Sequence, residues 1–131
     1  MKIISLSLLI FLYLIPVISI VDPIDKIAEL IRQGNAHELA VLFAPSIDVS
    51  ILGEENTFSK AQAEVALDKF FSENKPKTAK IVHRVSSNPK YQFGVLALTT
   101  DKGLYRVAFT LKEVDGNLMI IELRIETEKT K

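Results

Sequence analysis

The stretch Val49–Phe71, VSILGEENTFSKAQAEVALDKFF, changes its hydrophobic period within a few residues, and the fold class follows from that change. It opens inside SIDVSIL, where Ile47, Val49 and Ile51 alternate with Asp48 and Ser50, the two-residue period of a half-buried strand. Gly53-Glu54-Glu55-Asn56 reads as a turn and Thr57-Phe58-Ser59 as a very short return strand. Ser59 followed three residues on by Gln62 is a capping-box spacing. The helix it opens lines one face with Ala63, Ala66, Leu67, Phe70 and Phe71, until Pro76 blocks continuation. A strand hairpin followed at once by an amphipathic helix predicts a helix packed on a sheet.

The flanking segments extend the same pattern. Upstream, DPIDKIAELIRQG places Asp22 as N-cap, Pro23 at the first helical position, and Ile24, Ile27, Ala28 and Ile31 on one face, with Gly34 closing the helix. NAHELAVLFAP restarts at Asn35, with Glu38 at capping-box spacing, and predicts a second short helix through Leu39, Leu42 and Phe43, ended by Pro45. Downstream, TAKIVHRVSS, YQFGVLALTT, LYRVAFTLKEV and NLMIIELRIET are four strand-like runs joined by tight turns, which implies an antiparallel meander. In the last two runs Tyr105, Val107, Phe109, Leu111, Met119, Ile121, Leu123 and Ile125 form the apolar parity, with Arg106, Glu122, Arg124 and Glu126 on the polar one. A sheet with one dry face needs a cover, and the helices supply it. The predicted fold class is α+β: N-terminal helices on a curved, mainly antiparallel sheet, a cone-shaped, cystatin-like roll.

This order of elements resembles the nuclear transport factor 2-like cone, which SnoaL-type cyclases and ketosteroid isomerase share. The runs DVSILGEENTFSKAQAEVALDKFF, YQFGVLAL and GLYRVAFTLK look like a family of small exported bacterial proteins called domain of unknown function 4783. That resemblance implies fold and compartment but no reaction. The isomerase chemistry of the wider fold needs a buried Asp base with a Tyr and a protonated Asp as oxyanion donors. No position of this sequence matches those roles residue by residue, so none is carried over.

Composition narrows the function classes. With 131 residues, 48% of them hydrophobic, the chain has room for one core. Sixteen basic and sixteen acidic side chains balance, which gives no field for polyanions and excludes nucleic acid as the expected partner. There is no cysteine, hence no disulfide frame, thiolate metal site or Cys nucleophile, and two histidines are too few for a multi-His metal centre. No metal or other cofactor is expected. MKIISLSLLIFLYLIPVISI has a Lys2 start, an apolar middle, and Pro16 and Ser19 where a peptidase would cut, so residues 1–21 read as a secretory signal peptide. The alternative is an uncleaved anchor, the one membrane contact the sequence suggests. Residues 22–131 are then a single exported domain, periplasmic, envelope-bound or secreted.

Few residues are candidates for chemistry. His83 shares parity in TAKIVHRVSS with Ala79, Ile81 and Val85, which aims it into the cone, where it would serve as a base or ligand contact; Lys80 and Arg84 then read as solvated. Asp48 would orient it if it approached across the cone, although its own parity, with Ser50, faces water. Tyr91 and Tyr105 share core parity and would offer phenols at a pocket rim. Glu54 and Glu55 supply too few oxygens for calcium. Three readings follow: a non-catalytic module binding a small apolar or amphipathic ligand or a protein partner; a small isomerase or hydrolase built on His83 with Asp48 or Tyr105 assisting; and a homodimer formed through the sheet face.

Overall fold

A computed structural model describes residues 22–128; the expected signal peptide, residues 1–21, lies outside them. Helix α1, Pro23–Gln33, begins where Asp22 accepts a hydrogen bond from the Ile24 N–H at 2.8 Å, with Pro23 just inside. It ends at Gly34, whose φ of 66° lets its N–H reach the Ile31 carbonyl while Asn35 N–H reaches Leu30. Ile24, Ile27, Ala28 and Ile31 are its buried face, as the spacing predicts. Helix α2, Ala36–Val41, is capped by Asn35, which accepts from the Glu38 N–H at 3.1 Å. Helix α3, Lys60–Glu73, has the full capping box of Ser59 and Gln62 and buries Ala63, Leu67, Phe70 and Phe71.

The strands are β1 Phe43–Ile51, β2 Glu54–Ser59, β3 Pro76–Asn88, β4 Tyr91–Thr100, β5 Gly103–Val114 and β6 Asn117–Thr127. They form one six-stranded sheet in the order β2-β1-β6-β5-β4-β3, antiparallel throughout except for the β1–β6 pair. The four-strand meander and the β1–β2 hairpin thus meet through a parallel seam. The helices cover one face, and a single apolar cluster between them contains the twelve bulkiest fully buried side chains, Phe43 and Phe109 among them.

Two element boundaries differ from the sequence expectation. The second helix stops at Val41 and Phe43 already starts β1, so Pro45 lies inside a strand. The strand tolerates it because β2 pairs only from Ser46 onward and the β1–β6 register is broken between Phe43 and Asp48, so neither neighbour needs an N–H from Pro45. The reversal after β1 takes only Leu52 and Gly53, both at positive φ (51° and 91°), as a type I′ hairpin turn requires. Glu54, Glu55 and Asn56, expected in the turn, are therefore paired with Ile51, Ser50 and Val49 on β2.

Two of the register shifts in the meander decide which way residues singled out in the sequence face. Between Ile81 and His83 the β3–β4 register slips by one, leaving Val82 as an extra residue. Between Thr110 and Leu111 the β5–β6 register slips past Ile121, so that Ile120, fully buried, occupies the core position expected for Ile121. Met119, also expected inside, pairs with Lys112 and is only half-buried.

Candidate functional site

Residues directly opposite in a ladder share a face, so the register assigns every side chain to the helix-covered face or the outer one. On the covered face, Ile81, Leu96, Val107 and Ile125 form one row, and Arg84, Gly94, Phe109, Leu123 and Val49 the next. The inside of the roll is filled at this level. Phe109 is fully buried with its ring lying over Gly94, where a Cβ would stand 2.6 Å from Phe109 Cζ and 3.1 Å from Ile24 Cγ2. The absent side chain at Gly94 is what admits the ring.

The slip at Val82 corrects the reading of His83. It pairs with Val95, which is buried but lies on the outer parity of β4; His83 itself is exposed and sets its ring edge-on to Phe93 at a centroid distance of 6.4 Å. Its solvated neighbour in the sequence reading, Arg84, takes the covered side instead. There its guanidinium donates to Asp25 at 2.8 Å and pairs with Asp22 at 3.0 Å, which pins the start of α1 to β3. The hydrogen bond to Asp25, with the attraction of both carboxylates, holds the Arg84 pKa above its ordinary value.

The other candidates are not brought to His83. Asp48 lies on the outer face, accepts a hydrogen bond from the Thr57 hydroxyl at 2.8 Å, and is separated from His83 by β6, β5 and β4, on the order of 19 Å at strand spacing. Tyr105 is buried. Its hydroxyl donates to Asn74 Oδ1 at 2.7 Å, Asn74 Nδ2 donates to the Phe70 carbonyl at 3.0 Å, and the Tyr105 ring meets Phe70 edge-on at 5.2 Å. This bond closes one end of the roll by tying α3 to β5. Tyr91 is exposed where β4 begins, paired with Asn88 and Lys112, and lines none of the three pockets described below. Among the described residues no group of three or more His, Asp or Glu is arranged to hold a metal ion.

The chemistry that is concentrated anywhere lies on the outer face. Lys80 opposes Ala97, which opposes Arg106, which opposes Glu126. In the next row His83 and Val95 lead to Ala108, Arg124 and Ser50, with Glu55 at the edge. In the third, Val85 and Phe93 lead to Thr110, Glu122 and Asp48, with Thr57 at the edge. Arg124 is the hub, 3.5 Å from Glu126 and 4.0 Å from Glu55. Two adjoining grooves share Glu122 and Arg124: one of about 280 Å³ between Asp48, Glu55 and Thr57, the other of about 240 Å³ reaching Phe93 and Ala108. The small side chains at Ala97 and Ala108 keep the middle of the face low. Sequence parity places the charged half of this surface and Lys80 on β3, but it puts His83 and Val85 inside and Arg84 outside, which the Val82 slip exchanges.

A third pocket, about 390 Å³, opens between α3 and the β1–β2 turn, lined by Ile51, Leu52, Ala66 and Phe70, with Lys69 and Glu73 at its rim. Two buried residues, Phe70 and Asn74, belong to its lining.

A helix-backed, curved six-stranded sheet of this topology is a cystatin-like, nuclear transport factor 2-like α+β roll. A protein from Nostoc punctiforme described as a domain of unknown function with a cystatin-like fold superposes with a TM-score of 0.64 at 12% identity, covering 81% of this chain and 77% of that one; proteins labelled NTF2 share the fold. Within that class the chain belongs to the family Domain of unknown function (DUF4783), whose model matches residues 24–126. DUF4783 family proteins from Bacteroides uniformis and Bacteroides ovatus superpose with TM-scores of 0.78 and 0.76, each at 22% identity. The first is covered over 100% of its length by 83% of this chain, the second over 97% by 84%. No curated protein matches the chain significantly.

Proposed function

We propose that this chain is an exported, non-catalytic docking module whose working surface is the outer face of its sheet. One observation carries the reading: the covered face is packed solid around Phe109, while the uncovered face leaves Phe93, Ala97 and Ala108 partly exposed among charges of both signs, Lys80, Arg106, Glu122 and Arg124. An acid–base enzyme needs a base held against an orienting group in a water-poor site, and His83 instead stands exposed beside Phe93. A second reading has the cleft beside Leu52 behind it, whose apolar lining and Lys69 rim suit a small amphipathic ligand.

The absence of cysteine allows a clean footprint. Ala108→Cys and Lys69→Cys, each expressed with the native leader, are treated with a maleimide in the intact envelope and again after purification. Protection of Ala108→Cys alone in the envelope is the expected result. Protection of Lys69→Cys alone moves the function to the cleft, and equal labelling of both in the two preparations overturns the docking reading.

A further inference from the structure

The two edges of the sheet are built differently. At one edge β3 carries the devices that keep a strand from pairing with foreign chains: Pro76 at its start, Lys77 and Lys80 along it, and register breaks after Pro76, Ile81 and Val85. Its longest regular run is the four residues 78–81. At the other edge β2 has none of these devices. Its six residues pair with β1 without a break, it contains no Pro, Lys or Arg, and all but Phe58 are exposed. One bond fixes the direction of its backbone. Leu52 N–H donates to the Ile125 carbonyl at 2.9 Å, so Leu52, Ser50 and Asp48 turn their backbone groups towards β6. Ile51, Val49 and Ile47 then turn theirs towards β2 and bond Glu54, Asn56 and Phe58, which leaves the N–H and C=O of Glu55 and Thr57 pointing out of the sheet. No turn, cap or side-chain bond reaches those four groups among the described residues.

The charge beside this open edge selects the strand that would close it. Across β1, β2 and β6 there are five carboxylates, Asp48, Glu54, Glu55, Glu122 and Glu126, and one basic side chain, Arg124. Arg124 stands 3.5 Å from Glu126 and 4.0 Å from Glu55, so Asp48, Glu54 and Glu122 have no ionic partner among the described residues. On the outer face Thr57 lies opposite Asp48 and Asp48 opposite Glu122, and the groove of about 280 Å³ lined by all three runs in from the edge. In antiparallel pairing, the more stable kind, a strand bonded to Glu55 and Thr57 sets its own residues opposite them on that outer face. A Lys or Arg opposite Glu55 meets its carboxylate directly, and one opposite Thr57 reaches over it to Asp48. An acidic strand would repeat like charges at both positions, which is costly at an interface. We propose that β2 is a strand-acceptor edge, to which an extended, basic segment of a partner protein adds antiparallel as a seventh strand. Glu55 and Thr57 supply the backbone bonds, and basic side chains at two alternate positions of the segment lie against Glu55 and along the groove to Asp48.

This rests on the docking reading and adds where the partner is gripped and by what chemistry. The test is nitrogen-15 NMR of the chain, expressed with its leader, titrated with an octapeptide of alternating Lys and Thr. Shifts centred on the amides of Glu55 and Thr57 are the expected result. Two methylated forms of the peptide keep its charge: one is N-methylated at its Lys residues, whose N–H groups face β2, the other at its Thr residues, whose N–H groups face away. The first is expected to bind about tenfold more weakly or worse, the second as the parent does. Thr57→Pro removes one outward N–H that the ladder to β1 does not use, and is expected to weaken binding about tenfold, with a thermal melt establishing that it folds. No binding at about 1 mM peptide, equal binding of the two methylated forms, a Glu–Thr peptide that binds as tightly, or shifts centred on β3 overturns the strand-acceptor proposal. The Ala108→Cys footprint decides the docking reading without reference to β2, so the two failures are distinguishable.

Discussion

Replacing Gly94 by Ala tests the packing that fills the roll. In an extended strand Ala is the better residue, since it loses less backbone entropy on folding, a gain of about 0.5–1 kcal/mol. Here the added methyl would stand 2.6 Å from Phe109 Cζ and 2.9 Å from Cε2, against the 3.4 Å or more of an ordinary contact. The ring must retreat by close to an ångström, and Phe109 is fully buried within the cluster, with Ile24 on the same side at 3.1 Å. Overpacking of that size in a close-packed core costs about 1–3 kcal/mol. The steric term outweighs the entropic one, and Gly94→Ala is expected to destabilise by about 1–2 kcal/mol, read as a lower urea midpoint at unchanged slope. Combining it with Phe109→Leu should cost less than the sum of the two single changes, because the new methyl fills part of the space the ring vacates. A Gly94→Ala protein as stable as the parent, or more so, would refute the account of a filled interior.

Arg84→Met keeps the aliphatic stem but frees Asp22 and Asp25; with a side chain one-third exposed, it is expected to lower stability by about 1 kcal/mol and to speed amide exchange in the first turn of α1. Leu52→Asn should raise stability by about 0.5–1 kcal/mol in urea titration, since Leu at a φ of 51° is strained where Asn-Gly is the preferred pair. Glu29 accepts hydrogen bonds from Arg32 and Gln33, which hold its pKa down at about 2 from 4.5. A folded pKa below the unfolded one gives stability that is present above about pH 4.5 and lost as pH falls towards 2, so the Glu29 carboxyl should titrate in carbon-13 NMR below a typical exposed Glu, and Arg32→Ala should bring it back up.

The amphipathic faces and caps of α1 and α3 were legible because they depend on residues within one turn of each other: Ile24, Ile27 and Ile31, or Ser59 and Gln62. The strands were legible as runs, and the alternation of Val107, Phe109, Leu123 and Ile125 named core residues correctly. The facing of His83 and Ile121 was not, because a one-residue slip exchanges the two faces of everything beyond it and is set by the neighbouring strand. Nothing in TAKIVHRVSS marks Val82 as the extra residue. That slip also decides the candidate site, since it removes His83 from the interior to the outer face and draws Arg84 off that face to α1. The β1–β2 turn was misplaced for a different reason: Glu54, Glu55 and Asn56 look like turn residues, and an edge strand exposed to water accepts them equally well.

Native mass spectrometry of the chain recovered from its native host tests the central claim most directly, with Ala108→Glu as the matched control. The account predicts a protein–protein adduct that retains no small molecule and is lost on placing a carboxylate at Ala108. A chain that carries a bound small molecule in one-to-one ratio, unaffected by Ala108→Glu, would contradict it.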